Sequence, residues 1–249
     1  MQSALRTATT SARPITRLNG ATVSRFLSTS RLLSSPLKSS TPSSATCPSC
    51  HVPLSPSQLS PLCPSCSTLV PPPPSTTTHY SLFSLPTPSY AIDLKALKRE
   101  FLKLQQKVHP DRFGGQGERE EWAKLWSSRV NEAWKTLSNE RERAEYLLSL
   151  HDVTIGEADP VTDPELLMSI MEIREALEEA ETPEQVDSIR AQNSQEMQAA
   201  ISSLVKAFDQ TEPPDLEGAR NLVIQLKYLD NIETVCREWS PGKRVEIQH

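Results

Sequence analysis

Residues 94–113 read LKALKREFLKLQQKVHPDRF, and this stretch decides the fold. Leu94, Leu97, Phe101, Leu104 and Val108 recur at steps of three and four, the period of an α-helix with one apolar face. Asp93 stands where an N-terminal cap belongs, because its short carboxylate can accept from the free N–H groups of the first turn. Pro110 and the Gly114-Gly115-Gln116-Gly117 cluster stop the helix. On the polar side Lys95, Arg99, Lys103 and Lys107 step by four into a basic stripe that ends at His109-Pro110-Asp111, with Arg112 directly after it.

Toward the C-terminus the same periodicity continues. A second helix carries Trp122, Leu125, Trp126, Val130, Ala133, Trp134 and Leu137, and a third runs from about Glu140 to Leu150. Residues His151 to Pro160 connect onward. Asp163-Pro164 and Thr182-Pro183 each place proline at the favoured first helical position. The helix opened by the first pair reaches Ala180. The helix opened by the second carries Val186, Ile189, Met197, Ile201, Leu204 and Phe208, and Pro213-Pro214 ends it. Asp215 starts a last helix to about Trp239. No stretch alternates as a strand does, so the body is predicted to be all-α, a small helical domain followed by an antiparallel three-helix bundle.

Toward the N-terminus the chemistry changes. Residues 1–92 contain no Asp or Glu, and their six cations are Arg6, Arg13, Arg17, Arg25, Arg31 and Lys38. The remaining residues carry 20 basic and 31 acidic side chains, a net charge of −11. Such an acidic body argues against general nucleic-acid binding, which needs clustered positive charge. No apolar run reaches the roughly 18 residues of a membrane span, and no glycine-rich phosphate loop is present.

Residues 1–40 are rich in Ser, Thr, Arg and Leu, and their arginines are spaced through Leu5, Ile15, Leu18, Val23, Phe26 and Leu27. A secretory signal would need one continuous apolar block; this is the composition of a mitochondrial transit peptide, which would place the mature protein in the matrix. A disordered basic tail is the plain alternative. Arg25-Phe26-Leu27-Ser28 and Arg31-Leu32-Leu33-Ser34 are both candidate processing sites.

Cys47-Pro48-Ser49-Cys50 and Cys63-Pro64-Ser65-Cys66 form two CxxC pairs separated by twelve residues. Four thiolates favour one tetrahedral zinc ion and leave no open coordination position, so the expected role is folding support. An iron–sulfur cluster and a redox dithiol pair are the competing readings. His51 is expected at the surface and Cys236 as an ordinary half-buried thiol. The module is assigned to residues 45–70, with Pro71 to Pro74 and the following Ser and Thr, residues 71–78, as a stiff linker that keeps it apart from the helices.

His109-Pro110-Asp111 has three readings on its own: a polar helix terminator, a catalytic His–Asp pair, or the tip of a docking surface. No nucleophile elbow accompanies it, and the adjoining basic stripe points to an acidic protein partner.

In order along the chain, His79-Tyr80-Ser81-Leu82-Phe83, then Val108-His109-Pro110-Asp111-Arg112-Phe113, then Arg129-Val130-Asn131-Glu132-Ala133-Trp134-Lys135-Thr136-Leu137 resemble a J-domain. Arg143-Ala144-Glu145-Tyr146-Leu147-Leu148-Ser149-Leu150-His151 and Asp163-Pro164 onward narrow the resemblance to HscB-type (Jac-type) co-chaperones of iron–sulfur cluster biogenesis, in their mitochondrial form, over residues 79–240. The tetracysteine segment is similar to an extra N-terminal module of some eukaryotic members. The resemblance implies a J-domain at 79–151 and a scaffold-binding bundle at 160–241. It implies a non-enzymatic activator that brings an iron–sulfur cluster scaffold protein to a DnaK-type 70-kDa heat-shock chaperone and stimulates its ATPase. A general mitochondrial J-domain co-chaperone for unfolded clients is the alternative. Chaperone contact would fall on Lys95, Arg99, Lys103, Lys107, His109, Pro110, Asp111 and Arg112.

The bundle carries a second candidate surface. Leu166, Ile170, Ile173, Leu177 and Ala180 already supply a core stripe about 80° wide, while Leu167, Met168 and Met171 lie roughly 100° to 200° away from it. On the last helix Ala219, Leu222, Leu226 and Leu229 share a face and Tyr228 points nearly opposite. Apolar side chains outside a satisfied core mark a binding surface. In the family these positions dock the scaffold; carried over, they are Leu167, Met168, Met171 and Tyr228, flanked by Glu172, Arg174 and Glu175. These four apolar side chains are expected to form one exposed patch on adjacent helices.

Overall fold

A computed structural model of the chain describes residues 46–55, 59–156 and 164–241. The leader and its candidate processing sites lie outside the described residues, as does Asp163. Seven α-helices follow one another from residue 79: α1 (His79–Leu82), α2 (Leu94–Val108), α3 (Glu118–Ser138), α4 (Glu140–Leu150), α5 (Pro164–Glu179), α6 (Pro183–Val205) and α7 (Leu216–Glu238). Among the described residues there is no β-sheet; two isolated bridges, Thr46 with Pro53 and Leu62 with Leu69, lie in the cysteine segment.

Local chemistry sets the helix ends. Asp93 accepts from the Lys95 and Ala96 N–H groups at 2.9 and 3.1 Å, and these bonds hold its carboxyl below the ordinary range. Asn139 caps α4, Thr182 and Gln185 form a capping box on α6, and Asp215 accepts from Gly218 at the start of α7. A 3₁₀ turn over Pro110–Phe113 follows α2, and Gly115 and Gly117 take positive φ angles of 74° and 60° that let the chain turn back into α3. Beyond Val205 the last turn of α6 widens into a π-helical turn, Lys206–Gln210.

α2 and α3 pack as an antiparallel pair, with Leu97, Leu104, Val108, Ala123, Trp126, Val130, Ala133 and Leu137 buried between them and their neighbours. Phe101 stacks on Trp134 with ring centres 4.9 Å apart. Leu94 and Leu125 belong to the apolar periodicity but are exposed. α7 packs on α4 as well as on α6, and so buries Val223, Ile224, Ile232 and Cys236 besides the expected face; Tyr228 and Leu222 are half-buried. Burial raises the Cys236 thiol above its usual range.

One hydrophobic core therefore runs from Tyr80 through α4 into the three C-terminal helices. At its centre Arg143, 5% exposed, donates to the Leu137 carbonyl at 2.6 Å and lies 4.8 Å from the centre of the Tyr90 ring. Tyr90 also stacks on Phe208 of the π turn, and burial pushes its hydroxyl up to about 12. Asp209 accepts two backbone bonds, from Tyr90 N–H at 3.0 Å and Ala91 N–H at 2.7 Å. Arg141 pairs with Asp230 of α7 at 3.0 Å. These contacts bind the segment 84–92 and α4 to the bundle.

Candidate functional sites

The four cysteines fold into two matching knuckles offset by sixteen residues. Cys47 N–H donates to Val52 C=O and His51 N–H to Cys47 C=O; Cys63 N–H donates to Thr68 C=O and Ser67 N–H to Cys63 C=O, all at 2.9 Å. His51 and Ser67 occupy the same left-handed position, with φ of 59° and 57°. His51 is exposed there, and the sulfur cluster does not include it.

All four sulfurs lie within 4.8 Å of one another, with Cys47–Cys66 at 3.6 Å and Cys50–Cys63 at 3.7 Å. A disulfide would bring two sulfurs to about 2.05 Å. A tetrahedron with metal–sulfur bonds of about 2.3 Å has edges of about 3.8 Å, so the observed spacing fits a single ion held by four thiolates. Hydrogen bonds favour the anionic form at two positions, whereas at Cys50 the lowering by the Val52 N–H is outweighed by burial and the neighbouring sulfurs, which push the thiol up to about 11. Thr68, through its hydroxyl and its backbone N–H, pulls the Cys66 thiol down to about 6, and the Cys50 N–H lowers Cys47.

The proline segment after the module does not hold it apart. Trp126 Nε1 of α3 donates to the Val70 carbonyl at 2.9 Å in a buried contact. One turn further, Arg129 donates to the carbonyls of Pro73, Pro74 and Thr77, the last two at 3.0 and 3.5 Å. Leu69 is fully buried in the core formed with the helices, and Leu62 packs against it. A stiff extended segment exposes its carbonyls, and α3 supplies the donors. The expected independence of module and helices is replaced by a docked strap.

The basic stripe lies open. Lys95, Arg99, Lys103 and Lys107 are all exposed, and Lys103 pairs with Glu100 at 2.7 Å. Leu102, 56% exposed, lies about 20° around the helix from Lys95 at 100° per residue, so an apolar side chain sits within the cationic face. The His109-Pro110-Asp111 tip is held locally. His109 Nδ1 accepts from the Asp111 N–H at 3.3 Å, with Asp111 Oδ2 at 3.6 Å. Arg112 donates from Nη1 to the Gln106 carbonyl at 2.7 Å and so closes the open end of α2. No nucleophilic side chain is hydrogen-bonded to His109 among the described residues. The imidazole and carboxylate are both open to water, an arrangement suited to recognition.

On α5, Ile170, Ile173 and Leu177 are buried and Leu166 and Ala180 half-buried, while Leu167, Met168 and Met171 are 48%, 63% and 56% exposed. Glu172 and Glu175 are exposed beside them, and Arg174 is half-buried and pairs with Glu178 at 3.2 Å. Tyr228 on α7 is half-buried, less open than its place opposite the core face suggested, because α7 has neighbours on several sides.

Three residue groups central to this arrangement were not singled out from the sequence. Periodicity marks Trp126 as core without its bond to the strap, the resemblance includes Arg129 without naming a partner for it, and Asp209 carries no local signal. Their partners lie 56, 55, 52, 119 and 118 residues away in the chain, and no local pattern marks such pairs.

Residues 162–236 match the family model of the HscB C-terminal oligomerisation domain. The chain is 35% identical over 157 residues to the co-chaperone protein HscB homolog of Photobacterium profundum, covering 62% of this chain and 91% of that protein. It is 34% identical over 161 residues to the iron-sulfur cluster co-chaperone protein HscB homolog of Arabidopsis thaliana, covering 64% of this chain and 61% of the plant protein. The crystal structure of human co-chaperone protein HscB superposes with a TM-score of 0.70 at 30% identity, over 78% of this chain and 98% of the human one. An all-helical body with this helix order, a tetracysteine module at its head and relatives of this coverage lead to one conclusion: the chain belongs to the HscB family of co-chaperones.

Proposed function

We propose that the protein is a mitochondrial matrix co-chaperone that carries an iron–sulfur cluster scaffold protein to a DnaK-type 70-kDa chaperone and stimulates that chaperone's ATPase. The observation that carries the reading is the pair of unlike exposed surfaces on one continuous core. One is the cationic face of α2 ending at His109-Pro110-Asp111, and the other is the apolar face of α5.

In this reading Lys95, Arg99, Lys103, Lys107 and Arg112 attract an acidic surface of the chaperone, and His109, Pro110 and Asp111 bias its conformation by contact. ATP hydrolysis is the partner's chemistry. Leu167, Met168, Met171 and Tyr228 bury against the scaffold, with Glu172, Arg174 and Glu175 at the rim. Cys47, Cys50, Cys63 and Cys66 hold one structural zinc ion, which would fix the two knuckles together. The acid-free leader, residues 1–40, directs import. We assign residues 45–70 to the zinc module, 71–78 to the strap, 79–151 to the J-domain and 160–241 to the scaffold-binding bundle.

The deciding experiment is the ATPase rate of a mitochondrial 70-kDa chaperone with this protein, with and without scaffold. Stimulation that rises further when scaffold is added supports the reading. Stimulation with no affinity for scaffold would turn it toward a general co-chaperone for unfolded clients.

A further inference from the structure

Val70 faces two ways. Its side chain, 5% exposed, packs with Cys47 and Cys63 in the small cluster under the sulfurs, while its carbonyl accepts the buried Trp126 indole N–H. Its own N–H donates to Pro61 C=O at 2.9 Å, across the base of the second knuckle. The neighbouring Leu69, 1% exposed, belongs to the core that the helices share. From Val70 the strap continues to Thr77 along Arg129, one turn after Trp126 on α3. Thr78 then caps α1, and His79 N–H donates to the Tyr146 hydroxyl of α4. The knuckles, the strap and the helices are thus one hydrogen-bonded path.

Without an ion nothing bridges the four cysteine sulfurs, and a segment this small has few buried side chains of its own to hold it closed. Opening of the knuckles releases Val70, and with it the acceptor of Trp126 and the cover over Leu69. A buried indole N–H left without its acceptor destabilises the helix that carries it.

We propose that metal occupancy of the tetracysteine module controls the order of α3 through Val70 and the 71–78 strap, making the module a metal-dependent splint for the J-domain. This rests on the metal-site reading and extends it from folding of the module to regulation of the helices beside it. Because α3 packs along α2, the cationic surface loses its support when the ion leaves, whereas α5 packs on α6 and α7 and is left unaltered.

The test is hydrogen exchange on the full chain, reduced, loaded with zinc and then stripped by a chelator, with metal content measured in each sample. The expected result is one zinc per chain and, on stripping, protection in residues 118–138 that falls on the order of tenfold or more while α5 to α7 change much less. Readdition of zinc restores protection. Arg129→Gln, which loosens the strap without touching a thiolate, is expected to keep one zinc per chain while shrinking the response of α3 to stripping. Loss confined to residues 46–70, or equal loss throughout α5 to α7, overturns the proposal. A chain that binds no zinc overturns it too, and the metal measurement identifies that failure as one of the site itself.

Discussion

The outward faces of α2 and α5 do opposite things with exposed side chains. α2 shows five exposed cations, Lys95, Lys98, Arg99, Lys103 and Lys107, beside the exposed Leu102, while α5 shows one leucine and two methionines with charges only at the margin. Cations act at a distance of about a Debye length, near 8–10 Å at physiological salt, and speed encounter more than they hold a complex. Leucine and methionine act only in contact, where burial and adaptable packing hold the partner. On the proposed reading, one surface serves repeated, fast engagement and the other keeps a client in place.

The sharpest way to break this contrast is His109→Gln. ATPase stimulation is expected to disappear while scaffold binding remains. The side chain is 55% exposed, so folding stability should move by under about 0.5 kcal/mol. An unchanged stimulation curve would remove the docking role from the α2 surface.

The converse variant replaces Leu167, Met171 and Tyr228 together with Ala. Apolar anchors commonly cost about 1–2 kcal/mol each when truncated, so scaffold affinity is expected to fall by well over tenfold. Stimulation without scaffold is expected to survive. Leu167 and Met171 are exposed, so any fall in the thermal midpoint will come from half-buried Tyr228; a protein that unfolds would show the three to be core.

Salt separates the two faces without mutation. Raising ionic strength from about 0.05 to 0.3 M is expected to weaken the chaperone contact several-fold through screening, with little change in scaffold affinity. Equal sensitivity of both, read by titration at each salt concentration, would erase the distinction.

The smallest expected effect compares single substitutions within the apolar face. Met168→Ala should reduce scaffold binding a few-fold with no change in melting temperature, since Met168 is 63% exposed. Tyr228→Ala should lower both, because its ring is half inside the bundle. A Tyr228 variant with full stability would move that residue wholly to the surface.

What could be read from the sequence was the part that local periodicity encodes. Asp93, Thr182, Pro183 and Asp215 mark helix starts by their own chemistry, and the structure has helices beginning at 94, 183 and 216. The exposure of Leu167, Met168 and Met171 followed from counting angles around one helix. The burial of Val223 and Ile224 did not, because it depends on α4 arriving from 80 residues earlier. The same holds for the strap: four prolines announce stiffness, but nothing in them announces Trp126 and Arg129. Leu102 was hidden by a different cause, since one leucine among lysines has no period of its own.

The grip of Asp209 on Tyr90 and Ala91, beside the buried Arg143, has a consequence for assembly. If, as proposed, a scaffold docks on α5, no slack linker would separate it from the α2 surface, because one core ties their neighbouring helices together. The rotational freedom that a hinged carrier would lose at each encounter would then be gone when the chain folds. The local concentration of client at the chaperone would be set by the fold itself.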